Sequence, residues 1–385
     1  MRQSVARGIL DWMTEQRDDF IEFVETLARF ESPSDVPDSQ HAPRETLAAA
    51  FDELGFRVHR IPGRNSGGQL FARPTPRDRA QPMQLMLGHY DTVWPVGTLE
   101  NMPLVVEENA IKGPGVYDMK GGIAQMIFAL RALRDLGLEP ELTPLIFLNS
   151  DEEIGSREST RYIRQLAKIC ARVFVLEPSL GPAGKLKTAR KGVGRFNIVT
   201  RGKAAHAGLN PEGGVSAILE MSHAIQQLFA LNDDERGITV NVGTVDGGLR
   251  PNVIAPECSA AVDVRIRTHQ DADRIERAIL GLRPENPDVR LEAAGHIGRP
   301  PLEPTPRNQA LWKTARALGD ELGITLEQGT AGGGSDGNTT SEYTATLDGL
   351  GAVGDGAHAH HEFFYLDRTL ERAALLALLL LTPEE

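Results

Sequence analysis

His89 and Asp91 stand two residues apart at the end of the apolar run LMLGHYDTV, a placement that fits a metal-binding edge at the mouth of a buried strand. Four further clusters carry carboxylates or imidazoles: GPGVYDMKGG around Asp118, FLNSDEEIGS around Glu152 and Glu153, VLEPS around Glu177, and GDGAHAHHE around His358. Each closes or follows an apolar run, where the loops of an α/β enzyme present chemistry. Together they offer the hard oxygen and imidazole ligands of a two-zinc hydrolase. Of His89 and Asp91, one can ligate while the other accepts the second imidazole N–H and so fixes the tautomer. Their parity on a strand of period two points them the same way. Asp118, between glycines and ahead of a helical pattern, can bridge two ions. Glu153 and Glu177 follow different strand patterns and can each close one side of the pair. Two adjacent glutamates cannot project equally toward one metal, which leaves Glu152 as the spare carboxylate, able to take a proton from the attacking water. The remaining nitrogen comes from HAHHE, where chemistry alone does not choose among His358, His360 and His361. Taken singly, an HxD pair reads as a turn or salt bridge, and DEE as the acidic preference of a helix start. Five such clusters, all at the ends of buried runs, are what single out a site.

Positioning these groups requires a particular order of elements. LMLGHYD reads as a buried strand, AQMIFALRALRDLG as a helix stopped by Gly137, LTPLIFLNSDE as a strand, STRYIRQLAKI as a helix and RVFVLEP as a third strand. Strand, helix, strand, helix, strand is the order of an α/β fold with a mostly parallel sheet covered by helices. Ahead of it, Phe20, Phe23, Val24, Leu27 and Phe30 recur at helical spacing until Ser32 and Pro33, an opening surface helix. The character changes near Ala189. GVGRFNIVTRGKAAH alternates as a half-exposed strand, residues 215–231 form a helix, ITVNVGTVDGG and CSAAVDVRIRT alternate again, a helix follows at 271–280, and RLEAAGHIG ends the set. That is an inserted α+β domain. Helical pattern resumes at Leu311–Leu322 and the chain closes with a helix from Leu366 to Leu380. The expected organisation is therefore a catalytic domain in two parts, 1–190 and 303–385, interrupted by 191–302.

The bulk numbers agree with that division. At 385 residues the chain exceeds the size at which one core usually keeps growing. A formal charge of -12 argues against nucleic acid as a partner, with no long basic run to offset phosphate repulsion. The opening MRQSVARGILDWMTEQRDDF lacks the apolar core of a secretory signal, and the apolar run Ala373–Leu381 is too short to span a bilayer, so a cytoplasmic protein without membrane contact is expected. Cys170 and Cys258 read as unpaired core residues.

On the segments GHYDTV, GVYDMKGG, NSDEEIGS, LEPS, GKAAHAG, PNVIAPE, DVR, GGGSD and GAHAHHE, the sequence resembles the M20 zinc peptidases, and among them the glutamate carboxypeptidases of the carboxypeptidase G2 type. The resemblance covers almost the whole chain. It implies two zinc ions per subunit, one held by His89, Asp118 and Glu177 and the other by Asp118, Glu153 and His358. It also implies Asp91 orienting His89, Glu152 as the base, a cis peptide at Asp118–Met119, and a homodimer formed through the inserted dimerisation and lid domain. The family places its histidine ligand four residues before a glutamate, which selects His358 and leaves Glu362 as an auxiliary group.

Substrate-facing groups are sought in the insert. His206, in RGKAAHAGLNP, reads as a displayed imidazole able to donate to an oxyanion, or as a surface histidine beside a helix start. In relatives this histidine reaches the site of the other subunit. Asn252 can donate an amide hydrogen to a substrate carbonyl or carboxylate. Arg265 and Arg299 can pair with a free carboxylate, although Arg265 shares strand parity with Arg267 and the two would also make an exposed basic face. The resemblance favours Arg265 and Arg299, with Gly332, Gly333 and Gly334 bringing backbone N–H groups close to an anion. The expected reaction is hydrolysis of an amide that releases a C-terminal amino acid, glutamate foremost, from a small peptide or N-acyl amino acid. Aminoacylase, deacylase and dipeptidase activities use the same ligands. A reading of another class, a metal-free binding protein descended from such an enzyme, requires a missing ligand, and none is missing. Tyr90, Trp94 and HAHHEFFY depart from the carboxypeptidase G2 pattern around the expected substrate pocket.

Overall fold

The computed structural model describes residues 2–383 apart from 77 and 79. Its chain divides into two compact units, one of Met1–Thr188, Pro304–Thr330 and Ser335–Glu385, the other of Ala189–Glu303 and Ala331–Gly334.

The first unit is built on a six-stranded sheet in the order Phe56–Ile61, Gln69–Pro74, Thr143–Asn149, Met83–His89, Arg172–Val175, Ala345–Leu347. The last four run parallel, while Gln69–Pro74 is antiparallel to both its neighbours. Thr143–Asn149 and Arg172–Val175 are buried at every position and carry no polar alternation, as expected of central strands covered on both faces. Helices Arg2–Glu15, Gly121–Asp135 and Leu366–Leu381 pack over one face in the main apolar core, and Ile163 of helix Thr160–Ala167 packs over the other. The expected opening helix forms as Arg17–Arg29, and a further helix, Arg2–Glu15, precedes it. Phe20, Val24 and Leu27 are buried, and Phe20 meets Phe128 edge-on at 5.1 Å, so the apolar stripe of Arg17–Arg29 is covered while Asp18, Asp19, Glu22 and Arg29 stay exposed, as in a surface helix.

A small four-stranded sheet orders Gly354–Asp355, Phe363–Tyr365, Ala110–Lys112 and Val105–Val106. It pairs the hairpin that carries residues 356–362 with the strand leading to Asp118. Two chain segments nearly 250 residues apart thus meet beside the main sheet.

The second unit is an antiparallel sheet in the order Thr239–Gly247, Glu257–Ile266, Gly192–Arg201, Arg290–Arg299. Gly192–Arg201 alternates buried and outward positions. Helices Ala217–Phe229 and His269–Leu280 contribute Met221, Ala224, Leu228, Ile275 and Ile279 to a core with that sheet. Ser216 and Thr268 cap the two helices, accepting from the backbone N–H of Leu219 and Asp271. Cys170 and Cys258 are buried, and among the described residues neither is in a disulfide. Among the described residues no helix is long and apolar enough to cross a membrane.

Candidate metal centre

His89 is the last residue of its strand, Glu177 lies two residues past Val175, and Glu152 and Glu153 lie just past Asn149, all at the carboxyl edge of the parallel strands. Close backbone approach fixes the Glu177 segment: a Cβ on Gly122 would lie 2.1 Å from the Leu176 carbonyl oxygen, and one on Gly351 would lie 2.2 Å from the same atom. Asp118 sits in a distorted turn, Val116–Lys120, and its bond to Met119 is cis, as the resemblance implied. His358 has a φ of 61°, a conformation that non-glycine residues adopt uncommonly.

The side chains converge as two triads sharing one carboxylate. His89 Nε2 lies 3.3 Å from Asp118 Oδ1 and 3.4 Å from Glu177 Oε1. His358 Nε2 lies 3.6 Å from Asp118 Oδ2 and 3.1 Å from Glu153 Oε2. Ligands about 2.0–2.1 Å from a tetrahedral zinc stand roughly 3.3–3.4 Å apart, so these spacings suit zinc on each side of Asp118. Buried His89 Nε2, Asp118 Oδ1 and Glu153 Oε1 have no hydrogen-bond partner among the described residues, a costly condition that ligation would relieve. The donor set therefore fits a metal centre: donor atoms of His89, Asp118 and Glu153 lie within 4.8 Å of one another, and His358 approaches Asp118 and Glu153. Donor atoms of Glu152, His89 and Glu177 also lie within 4.8 Å of one another, which places the Glu152 carboxylate at the same centre.

Asp91 does more than the strand-parity reading gave it. The strand ends at His89, so parity no longer applies at residue 91. His89 Nδ1 is 3.0 Å from the Asp91 main-chain oxygen and 3.4 Å from its carboxylate Oδ1. The carboxylate instead accepts the backbone N–H of Glu152 at 3.3 Å and of Glu153 at 3.1 Å, together with the Ser34 hydroxyl at 2.6 Å. One aspartate thereby aligns the histidine and both adjacent glutamates. Asp336 holds the far side of the same loop, accepting from Asn149 at 2.7 Å and from Ser156. Lys187 approaches Glu177 at 3.9 Å, and buried Lys120 donates to the Phe30 carbonyl at 2.7 Å. Sequence reasoning missed Ser34, Asp336 and the two lysines. The one available signal was the acidic residue in GGGSDGN.

The charges shape one another. The carboxylates of Asp118 and Glu153 beside it push the pKa of His358 up to about 11. Burial disfavours charge on His89, yet the carboxylates of Asp118, Asp91 and Glu177 beside it outweigh that and raise its pKa well above the ordinary imidazole value. Burial, then the charge of Asp118, pushes Glu153 up to about 7. Burial would raise Asp118 too, but His358 and His89 hold it well below the usual carboxylate range. Ligation needs neutral imidazoles and ionised carboxylates, so if zinc binds at this centre its entry would displace protons from His89, His358 and part of the Glu153 population. Zinc affinity should rise by roughly tenfold or more per pH unit between about pH 6 and about pH 8, with proton release in weakly buffered solution. Titration calorimetry in buffers of different ionisation enthalpy checks this, and an affinity flat across that window would rule the imidazoles out as ligands.

In the second unit, the structure brings His206 and Asn252 together: His206 forms a β-bridge with Val253, and Ala207 N–H donates to the Asn252 carbonyl at 3.0 Å. His206 is exposed, and its Nδ1 accepts from the N–H groups of Gly208 and Leu209, both at 3.1 Å. Accepting there leaves the ring proton of the neutral imidazole on Nε2, the outward donor. Arg265 and Arg299 both register with Val193 from either side. Arg265 already pairs with Asp263, Nε to Oδ1 at 2.7 Å and Nη2 to Oδ2 at 3.1 Å. The carbonyls of Gly333 and Gly334 accept from Arg190 at 3.3 Å each, and a Cβ on Gly332 or Gly333 would meet nothing within 4 Å. Of the residues that depart from the carboxypeptidase G2 pattern, Tyr90 is buried with its hydroxyl on the Gly68 carbonyl at 2.7 Å, and Phe364 is fully buried; both are core residues rather than pocket walls. Trp94 is half-buried and His360 exposed.

Fold and site together define a metallohydrolase. The chain matches the family described as Peptidase family M20/M25/M40 over residues 85–382 and belongs to it. It is similar to carboxypeptidase G2 from a Pseudomonas species, 28% identical over 361 residues, covering 90% of this chain and 84% of that relative. It is also similar to an acetylornithine deacetylase from Salmonella newport, 28% identical over 240 residues, covering 57% of this chain and 59% of that relative. The solved structure of aminopeptidase PepT from Bacillus cereus shares the fold at 20% identity with a TM-score of 0.76, over 94% of this chain and 98% of that one.

Proposed function

We propose that this chain is a two-zinc amidohydrolase that cleaves an amide whose amine side is an amino acid with a free carboxylate, releasing that amino acid, glutamate foremost, from a short peptide or N-acyl amino acid. The observation that carries the reading is the pair of triads sharing Asp118, with the carboxylate of Glu152 beside them. A zinc pair held there would polarise the scissile carbonyl and make water nucleophilic near neutral pH. Glu152 takes the proton of the attacking water and passes it to the departing nitrogen, while Asp91 keeps the Glu152 backbone in place. Asn252 and Arg265 receive the substrate's polar groups, Arg265 exchanging its bond to Asp263 for a carboxylate of the substrate. Similarity to both a carboxypeptidase and a deacetylase supports the amide as the common target and leaves the acyl side to measurement. Hydrolysis of N-acyl amino acids and short peptides, varied on both sides of the amide, tests the proposal. No turnover of any of them by protein carrying two zinc ions would refute it. A preparation that takes up no metal under loading conditions would instead favour the binding-protein reading.

His206 serves in this reading as the oxyanion donor through Nε2. Replacing it with Ala should lower kcat by about 100-fold, the lower end for a single oxyanion-hole donor, with zinc content unchanged. Unchanged kcat would return His206 to the status of a surface residue. The second unit also offers a surface for a second copy of the chain: Thr239–Gly247 is an edge strand, and Ile218, Leu219, Val245 and Leu249 are 46%, 59%, 52% and 72% exposed. A homodimer formed there predicts that mixing His206→Ala with Glu152→Ala protein restores activity if the histidine serves the partner's site.

A further inference from the structure

Glu362 is 1% exposed, and each of its carboxylate oxygens faces two donors. Oε1 accepts the backbone N–H of Tyr117 at 2.9 Å and of Asp118 at 3.0 Å. Oε2 accepts the backbone N–H of Gly115 at 2.9 Å and the indole N–H of Trp94 at 2.8 Å. All four partners are donors, so the position demands two acceptor oxygens and suits a carboxylate, not an amide. Three of the four belong to the turn that presents Asp118. The fourth brings in Trp94, whose ring lies against His360 at 5.4 Å. Glu362 itself stands in the loop that carries His358, closed by the Glu362 N–H on the Ala359 carbonyl at 2.9 Å. One side chain therefore ties the turn of the shared aspartate to the loop of the second histidine.

We propose that Glu362 is a positioning residue whose carboxylate holds the Gly115–Asp118 turn so that the two oxygens of Asp118 face His89 and His358 at once, and that it thereby sets the affinity of the centre for its metal pair. The inference rests on the metal-centre reading above. It predicts an order that packing alone would reverse. Gln fills the same volume but must point its NH2 either at Gly115 and Trp94 or at Tyr117 and Asp118, two donors in both orientations. Asp leaves a void one methylene wide yet keeps both acceptor oxygens and the charge.

The test is titration of Zn2+ into chelator-stripped wild type, Glu362→Gln, Glu362→Asp and Asp118→Asn, against a competing chelator, with thermal melts of the stripped forms alongside. Glu362→Gln should bind Zn2+ about 10- to 100-fold more weakly than wild type, the usual loss when a group supporting a metal ligand is removed, and Glu362→Asp should bind more tightly than Glu362→Gln. Affinity of Glu362→Gln within about threefold of wild type overturns the inference, as does Glu362→Gln matching or exceeding Glu362→Asp, the order set by packing. Should Glu362→Gln fail to fold, Glu362→Asp decides: folded protein with Zn2+ affinity nearer to wild type than to Asp118→Asn supports the inference, and affinity equal to Asp118→Asn overturns it. Wild type and Asp118→Asn binding Zn2+ equally weakly would instead overturn the metal-centre reading itself.

Discussion

Glu152→Gln should keep near-normal zinc content and substrate affinity and lose at least ~100-fold in kcat, the lower end of what a general acid–base group contributes. The substitution preserves size and much of the hydrogen bonding while removing the basic carboxylate. The backbone that carries it is held by Asp91 through the Glu152 and Glu153 N–H groups, contacts that a change of side chain leaves in place. The neighbouring substitution should behave differently. Glu153 Oε2 lies 3.1 Å from His358 Nε2, so Glu153→Gln removes a charged ligand and should weaken occupancy of that side of the centre. Metal content by elemental analysis and single-substrate kinetics, measured side by side, distinguish them. If Glu152→Gln loses zinc while Glu153→Gln keeps it and turns over poorly, the two roles are reversed, an outcome with a structural basis because the Glu152 carboxylate also stands within 4.8 Å of His89 and Glu177.

Asp118→Asn should weaken binding on both sides of the centre at once and abolish measurable turnover. Asp118 is the carboxylate common to the two triads, Oδ1 toward His89 and Oδ2 toward His358. An amide offers one oxygen acceptor and one N–H2 group, so it cannot serve two cations. Zinc affinity should fall by more than ~100-fold, beyond the range for groups that only support a ligand. His358→Ala should lose one of the two zinc ions, whereas His360→Ala should keep both. Full zinc content in Asp118→Asn, or metal loss in His360→Ala with retention in His358→Ala, would refute the assignment.

The placement of His89, Glu152, Glu153 and Glu177 was readable from the chain because each follows an apolar run, and an apolar run without alternation becomes a covered strand whose end is where side chains can meet water or metal. His89 after LMLG, Glu152 and Glu153 after LIFLNS, and Glu177 after VFVL obey that rule, and their strands are adjacent in the sheet. The change from continuous to alternating patterning near Ala189 marked the start of the second unit for the same reason, since a sheet covered on one face must alternate. Other features depended on proximity that no local pattern encodes. The opening helical segment carries an apolar stripe with no record of what covers it, and only the tertiary structure supplied Phe128 as its cover. Tyr90 read as a pocket residue from its place beside His89, but the strand end turns it inward to Gly68. Asp91 read as a partner of one imidazole, whereas its carboxylate also receives two N–H groups from a loop sixty residues on. Residue types and spacing determined which groups could ligate and take a proton. Which donors surround Asp91 and Glu362 was decided only when the folded chain brought distant backbone N–H groups against them, because a buried carboxylate is defined by the donors it meets and those are set by tertiary contact.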